Sequence, residues 1–304
     1  MGKVVTYAIG FANRSPLGEE IKQCIREYQR YLSLENKTEA ANTAVQIAES
    51  LYDQCEAIDQ TLPEKDRLRD ENNSLKKSLQ YSEKALKTFK EERNEEQQAR
   101  VLINMSKCYL KLYDYTLAIL KSKEALKLYQ EYNETDKYTL QSAFKLLGQI
   151  YFSKGFSADA ARYDDFSNAH RFYEKEHCIL KTMTAHDVDG DPNSLLILKQ
   201  SSHFNMGVIQ SKLPEYRQQG LKSLAICLKE AQDLELVDSQ KQVLWETAQI
   251  YAGKGDYEMV KRCQEKEHNI ARNNKNKEDE MNCLVARSKP SLLLLSLCLF
   301  PYEF

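Results

Sequence analysis

One phrase recurs along this chain and constrains its fold more than any other feature: a small residue, two residues, an aromatic, then a turn and a second apolar stretch. It appears as LINMSKCYLKLYDYTLAILKSKEAL at 102–126, FKLLGQIYFSKG at 144–155, HFNMGVIQSKL at 203–213 and LWETAQIYAGKGDYEMVKRCQEKE at 244–267. The small positions are Ser106, Gly148, Gly207 and Ala248, followed three residues later by Tyr109, Tyr151, Gln210 and Tyr251. A small side chain lets two helices approach closely, and the aromatic fills the groove beside them. The apolar residues of each phrase recur at three- and four-residue spacing, which predicts helices in antiparallel pairs.

Composition agrees with that expectation. Ten glycines and six prolines punctuate 304 residues, and 29% of the chain is charged, which suits long solvated helices better than a sheet protein with many turns. A formal net charge of −2 offers no general attraction to nucleic acid or anionic membrane. The eight cysteines are scattered, with no CxxC pair and no histidine at metal spacing, so they are expected as reduced thiols buried among helices.

The phrase resembles the tetratricopeptide repeat, in which helix A carries a bulky, a small and an aromatic residue and helix B a small one. The expected fold is therefore all-α: a tetratricopeptide-repeat superhelical solenoid of antiparallel helix pairs. The small positions are 42 (106 to 148), 59 (148 to 207) and 41 (207 to 248) residues apart, longer than the ~34 of the standard repeat. Repeats of about 42 residues imply helices about one turn longer each. The 59-residue interval predicts an insertion near 156–168, with helix B resuming at Ala169, and a polar loop near 184–194.

Upstream, 17–34 places Leu17, Ile21, Cys24, Ile25, Tyr28 and Leu32 on one stripe. A second helix is expected over 39–60, a polar connection over 62–73 and a third helix over Leu75–Lys90. The organisation expected is a flexible segment at 1–16, leading helical repeats at 17–95, repeats proper at 96–286 and an atypical Leu-rich tail at 287–304. The opening MGKVVT fits the loose myristoylation pattern, which chance also produces. The apolar run of the tail is about half of the ~20 residues a bilayer span needs.

Catalytic motifs are missing: there is no Walker lysine loop, no GxSxG and no HExxH. Asp187, Asp189 and Asp191 alternate as in a calcium loop, but Pro192 and Leu198 stand where that loop needs Gly and Glu. The expectation is a non-enzyme, without cofactor or metal, whose function lies in a groove lined by A helices. Registering the repeats on their small residues gives the groove residues Asn104, Lys107, Lys111, Lys145, Gln149, Asn205 and Gln249. Their amides and ammonium groups suit an extended, charged peptide.

The order of features over about 75–286 resembles the amino-terminal repeat array of the Tonsoku-like proteins. SEKALKTF precedes the first repeat; an enlarged A–B connection, AHRFYEKEHCIL, an acidic loop and SSHFNMGVI follow; DEMNCLVA opens a further helix. The resemblance implies a nuclear scaffold in replication-fork maintenance and homologous-recombination repair. Its partners would be histones, histone chaperones and fork repair factors, with no small-molecule substrate, membrane or sequence-specific nucleic acid. The ankyrin and leucine-rich repeats of that family are not in this sequence. The alternative is a cytoplasmic cargo or spindle-orientation adaptor of the kinesin-light-chain or Pins type, which predicts repeats without insertions.

Overall fold

A computed structural model describes residues 17–56, 63–132, 136–157, 162–188 and 190–273. The segment 1–16, the tail 287–304, DEMNCLVA at 279–286, Cys283, Cys298 and Asp189 lie outside the described residues. Eleven α-helices and two short 3-10 turns make up the secondary structure of the described residues: α1 (Leu17–Ser33), α2 (Lys37–Glu56), α3 (Glu64–Glu91), α4 (Glu95–Lys111), α5 (Tyr115–Tyr132), α6 (Lys137–Ser157), α7 (Arg162–Thr182), α8 (Pro192–Lys212), α9 (Arg217–Asp233), α10 (Val237–Ala252) and α11 (Tyr257–Asn273). Each helix packs on its neighbour in sequence, as expected for antiparallel helix pairs. None of the described helices is long and apolar enough to cross a membrane. Backbone packing divides the chain into two compact units, Met1–Ile150 and Tyr151–Phe304.

One local device makes five of the turns between the described helices. Glu35, Arg93, Tyr113, Glu235 and Gly255 all have φ between +55° and +74°. The next residue donates its N–H five residues back: Asn36 to Tyr31, Asn94 to Phe89, Asp114 to Tyr109, Leu236 to Ala231 and Asp256 to Tyr251, at 2.9–3.0 Å. This left-handed stop satisfies carbonyls that the ending helix leaves over. In four of the five turns the same residue then caps the next helix: Asn36, Asn94, Asp114 and Asp256 accept from the N–H three residues on, at 3.0–3.2 Å. A turn of three or four residues that ends one helix and starts another brings the pair back antiparallel.

In the first unit the core runs through Ile21, Ile25, Ala44, Ile47, Leu51, Leu75, Phe89, Leu102 and Met105. Ser106, the small residue of the first phrase, is fully buried; its hydroxyl donates to the Ala118 carbonyl at 2.8 Å and lies 2.6 Å from Ser122 Oγ. The stripe of α1 is shorter than expected: Ile21 and Ile25 are buried, but Leu32 is 51% exposed, because the chain turns at Glu35. The polar stretch 62–73 is largely helix. Glu64 and Asp66 sit in the first turn, where the helix dipole favours acids, and Arg69–Asp66 and Arg67–Glu71 pair along the helix at 3.2 and 3.7 Å.

In the second unit α8 and α9 cross at their glycines. A methyl group on Gly220 would lie 2.8 Å from the Gly207 carbonyl oxygen and 3.0 Å from the Ser211 nitrogen. The expected insertion is mostly helix: α7 starts at Arg162, seven residues before Ala169, and only 158–161 separate it from α6. Gly155 misled the count, because it lies inside α6 rather than in a turn, where a methyl group would meet the Phe166 ring at 2.6 Å. Phe166 packs with Phe152 and Phe156, and Asp165 is buried in an ion pair with Lys154 at 2.9 Å. The acidic loop is likewise committed to structure. Asp187 closes a capping box with Thr184, Asp191 caps α8, and Val188 packs with Leu180, Met183 and Leu195.

Candidate protein-interaction surface

In the first unit α2, α4 and α6 stand in the helix-A position of successive pairs, and a cleft of about 310 Å³ opens between them. It is lined by Glu49, Tyr52 and Asp53 on α2, Arg100, Ile103, Asn104 and Lys107 on α4, and Tyr138, Thr139 and Ser142 on α6, with Tyr129 from α5. Arg100 joins α4 to α2 through a two-pronged ion pair with Glu49, at 2.8 and 2.6 Å. Hydrogen bonding to Glu49 outweighs burial and raises the guanidinium pKa further above its ordinary value. The exposed Lys107 extends its ammonium group over the Tyr52 ring, 5.9 Å from the centroid. Burial, with the charges of Asp136 and Glu96, pushes the Tyr129 phenol up to about 12, so it remains a neutral donor at any physiological pH.

The residues predicted for the groove divide into three sets. Asn104 and Lys107 line the cleft. Asn104 also holds the fold: it is 6% exposed, and its Nδ2 donates to Ser78 and Ser82 of α3 at 3.2 and 3.1 Å. Lys111 lies one turn beyond Lys107, and Lys145 and Gln149 lie one and two turns beyond Ser142, all three half-buried. Asn205 and Gln249 belong to the second unit, on α8 and α10. The Nδ2 of Asn205 and both amide atoms of Gln249 are buried without a hydrogen-bond partner.

Sequence reasoning missed Arg100, Tyr52, Glu49, Asp53 and Tyr138. Arg100 was detectable, since it sits one helical turn before Ile103 and Asn104. The α2 residues were hidden because that helix lacks the aromatic: its small residue Ala48 is twelfth in the helix, as Ser106 is in α4, but Leu51 stands three residues on.

The lining offers two cations, Arg100 and Lys107, two carboxylates, Glu49 and Asp53, an amide, hydroxyls and aromatic faces on three A helices. Among the described residues no group of three His, Cys, Asp or Glu side chains is placed to hold a metal ion. Cys108 and Cys227 are raised by burial to about 11 and about 12, so these thiols are unreactive packing groups.

Helix pairs closed by a small-residue contact, with a cleft along the A helices, define a helical-repeat protein of the tetratricopeptide class. Solved structures share this fold. The apo form of RapI matches with a TM-score of 0.55 and 15% identity over 78% of this chain and 74% of that one. BtubC (BKLC) from P. vanneervenii matches at 0.60 and 17%, over 86% and 93%. Aspartyl phosphate phosphatase F from Bacillus subtilis matches at 0.56 and 11%, over 88% and 65%. At such identities the likeness is one of fold. No protein-family model and no curated protein matches the sequence. None of the three structures is a Tonsoku-like protein.

Proposed function

We propose that this chain is a non-enzymatic protein-interaction scaffold that holds an extended acidic peptide segment against α2, α4 and α6. The observation that carries the reading is the exposed Lys107 on its Tyr52 platform, with Arg100 two turns before it and Lys111 and Lys145 flanking the cleft. Tyr138, 48% exposed, supplies an apolar wall for the side chains between the acids. Three of the acidic residues between 164 and 191 are committed to the fold. Asp165 is buried with Lys154, and Asp187 and Asp191 are caps.

The test is a titration of labelled acidic and basic twelve-residue peptides against the wild type and a Lys107→Glu/Lys145→Glu variant. Acidic peptides should bind the wild type more weakly as salt rises. The double charge reversal should weaken that binding by about tenfold or more, roughly 1.4 kcal/mol. Equal affinities for the two proteins would overturn the assignment.

The sequence resemblance supports extending the proposal to a nuclear scaffold for fork maintenance and homologous-recombination repair, with histone chaperones, histones or repair factors as partners. An acidic occupant favours chaperone tails over the histones themselves. The adaptor of the kinesin-light-chain or Pins kind gains from one observation: α7 begins at Arg162, so most of the stretch 156–168 belongs to helices. Capture of the full chain from cells with identification of its partners separates the two. Histone chaperones or fork factors support the first reading, and motors or cortical proteins support the second.

A further inference from the structure

In the second unit α7 packs on α8, and two histidines face each other across that contact. The rings of His177 on α7 and His203 on α8 have centres 5.0 Å apart and planes at 62°. Each ring is anchored through the same nitrogen. His203 Nδ1 donates to Glu230 Oε2 on α9 at 2.8 Å, and His177 Nδ1 lies 3.3 Å from the Ser202 hydroxyl. Among the described residues neither Nε2 has a hydrogen-bond partner, and neither is shut off from solvent. Both side chains are half-buried.

Two imidazoles that share one tetrahedral ion at a metal–nitrogen distance of ~2.1 Å hold their ring centres about 5 Å apart. The observed separation already meets that requirement. A ligating histidine usually gives its other ring N–H to an acceptor, which fixes the tautomer and leaves the coordinating nitrogen unprotonated. Glu230 does this for His203, and the Ser202 oxygen is placed to do it for His177. Burial, then His203 and Lys181, lower the His177 pKa to about 4, so this ring is neutral and free to bind a cation at physiological pH. Lys181 opposes a divalent charge here, and the Glu230 carboxylate offsets it. No third His, Cys, Asp or Glu joins the pair among the described residues, which leaves the remaining positions to water. Imidazole nitrogens suit zinc, copper and nickel, whereas magnesium and calcium take oxygen ligands. The spacing of histidines along the sequence does not reveal such a pair, because packing of two helices creates it.

We propose that His177 and His203 bind one zinc ion through their Nε2 atoms, with water completing the coordination, and that the ion clamps α7 to α8. Glu230 is a positioning residue, which orients His203 and raises its basicity as a ligand. Copper(II) takes the same site more tightly, following the general order of divalent affinities. The clamp stands apart from the acidic-peptide cleft, whose residues all belong to the first unit.

The probe is zinc chloride, titrated calorimetrically into the metal-free full chain near neutral pH, with urea midpoints taken with and without the metal. Zinc should bind and raise the midpoint, because an ion that favours the native state stabilises it by mass action. His177→Gln and His203→Gln should each weaken binding by about tenfold or more and remove the rise in midpoint. Glu230→Gln, which leaves both ligands in place, should weaken it by about tenfold. A footprint on the wild type frees the test from the stability of the variants: diethyl pyrocarbonate labelling of imidazoles, mapped by mass spectrometry. Zinc should slow labelling of His177 and His203 and leave the exposed His186 reactive. Wild-type affinity in both histidine variants would overturn the proposal, since the ion would then sit elsewhere. Labelling of the two rings unchanged by zinc would overturn it as well, as would no binding up to millimolar zinc.

Discussion

A single methyl group decides the packing of α8 on α9. Alanine is favoured over glycine inside an exposed helix by about 1 kcal/mol, yet at position 220 its Cβ would lie 2.8 Å from a backbone carbonyl oxygen and 3.0 Å from a backbone nitrogen. Backbone cannot rotate aside as a side chain does, so Gly220→Ala should destabilise by ~1–3 kcal/mol. Gly253→Ala, whose Cβ would meet nothing closer than 3.6 Å, should be neutral or mildly stabilising. Urea denaturation of the pair measures the contrast. Histidine chemistry acts at the same scale. His177 lies between α7 and α8 with its ring 5.0 Å from that of His203, which in turn bonds Glu230 at 2.8 Å. Burial, then His203 and Lys181, lower its pKa to about 4. The unfolded chain, with a histidine near 6.5, therefore takes up this proton first, and the stability held above about pH 6.5 is lost as the pH falls toward 4. His177→Gln should flatten that part of the stability–pH curve, measured by urea midpoints at pH 7, 5.5 and 4.5. A variant with the wild-type slope would show that the ring is not held neutral.

Among the elements, the turns carry the strain. Arg93 and Glu235 hold φ of +55°, where a Cβ crowds the following carbonyl. Glycine removes that cost but adds disorder to the unfolded chain. The net expectation for Arg93→Gly or Glu235→Gly is a gain of up to about 1 kcal/mol, read as a higher melting temperature. These turns also explain which helices could be seen in sequence. LYDY and KGDY stand out because an aromatic phrase precedes them, whereas ENK and RNE form the same turn without one, so α2 was not recognised as an A helix of the same series as α4. Positive φ on Glu, Arg and Tyr has no sequence mark comparable to glycine. Gly155 shows the reverse case: a glycine inside α6, set against the Phe166 ring, reads in sequence as a turn. The charge run at 64–71 is helical through i,i+3 and i,i+4 pairing, a pattern visible in sequence once polar is not equated with loop.

At the scale of the whole molecule, the repeat class was legible because small-residue contacts and apolar spacing are local, and each pair repeats them. The site was legible only in part. The register on Ser106 placed Asn104 and Lys107 in the cleft, but Arg100, Tyr52 and Tyr138 depend on α2, α4 and α6 lying side by side, which no single segment encodes. Asn104 shows the limit of register alone, since its amide is bonded to Ser78 and Ser82 while sitting in the lining. The central claim is that this A-helix wall of the first unit receives an acidic peptide. Hydrogen–deuterium exchange of the full chain, with and without a saturating acidic twelve-residue peptide, tests it most directly. Slowed exchange should appear over Glu49–Asp53, Arg100–Lys111 and Tyr138–Ser142, and vanish in Lys107→Glu/Lys145→Glu. Protection confined to other helices, or unchanged exchange with the peptide bound, would contradict the account.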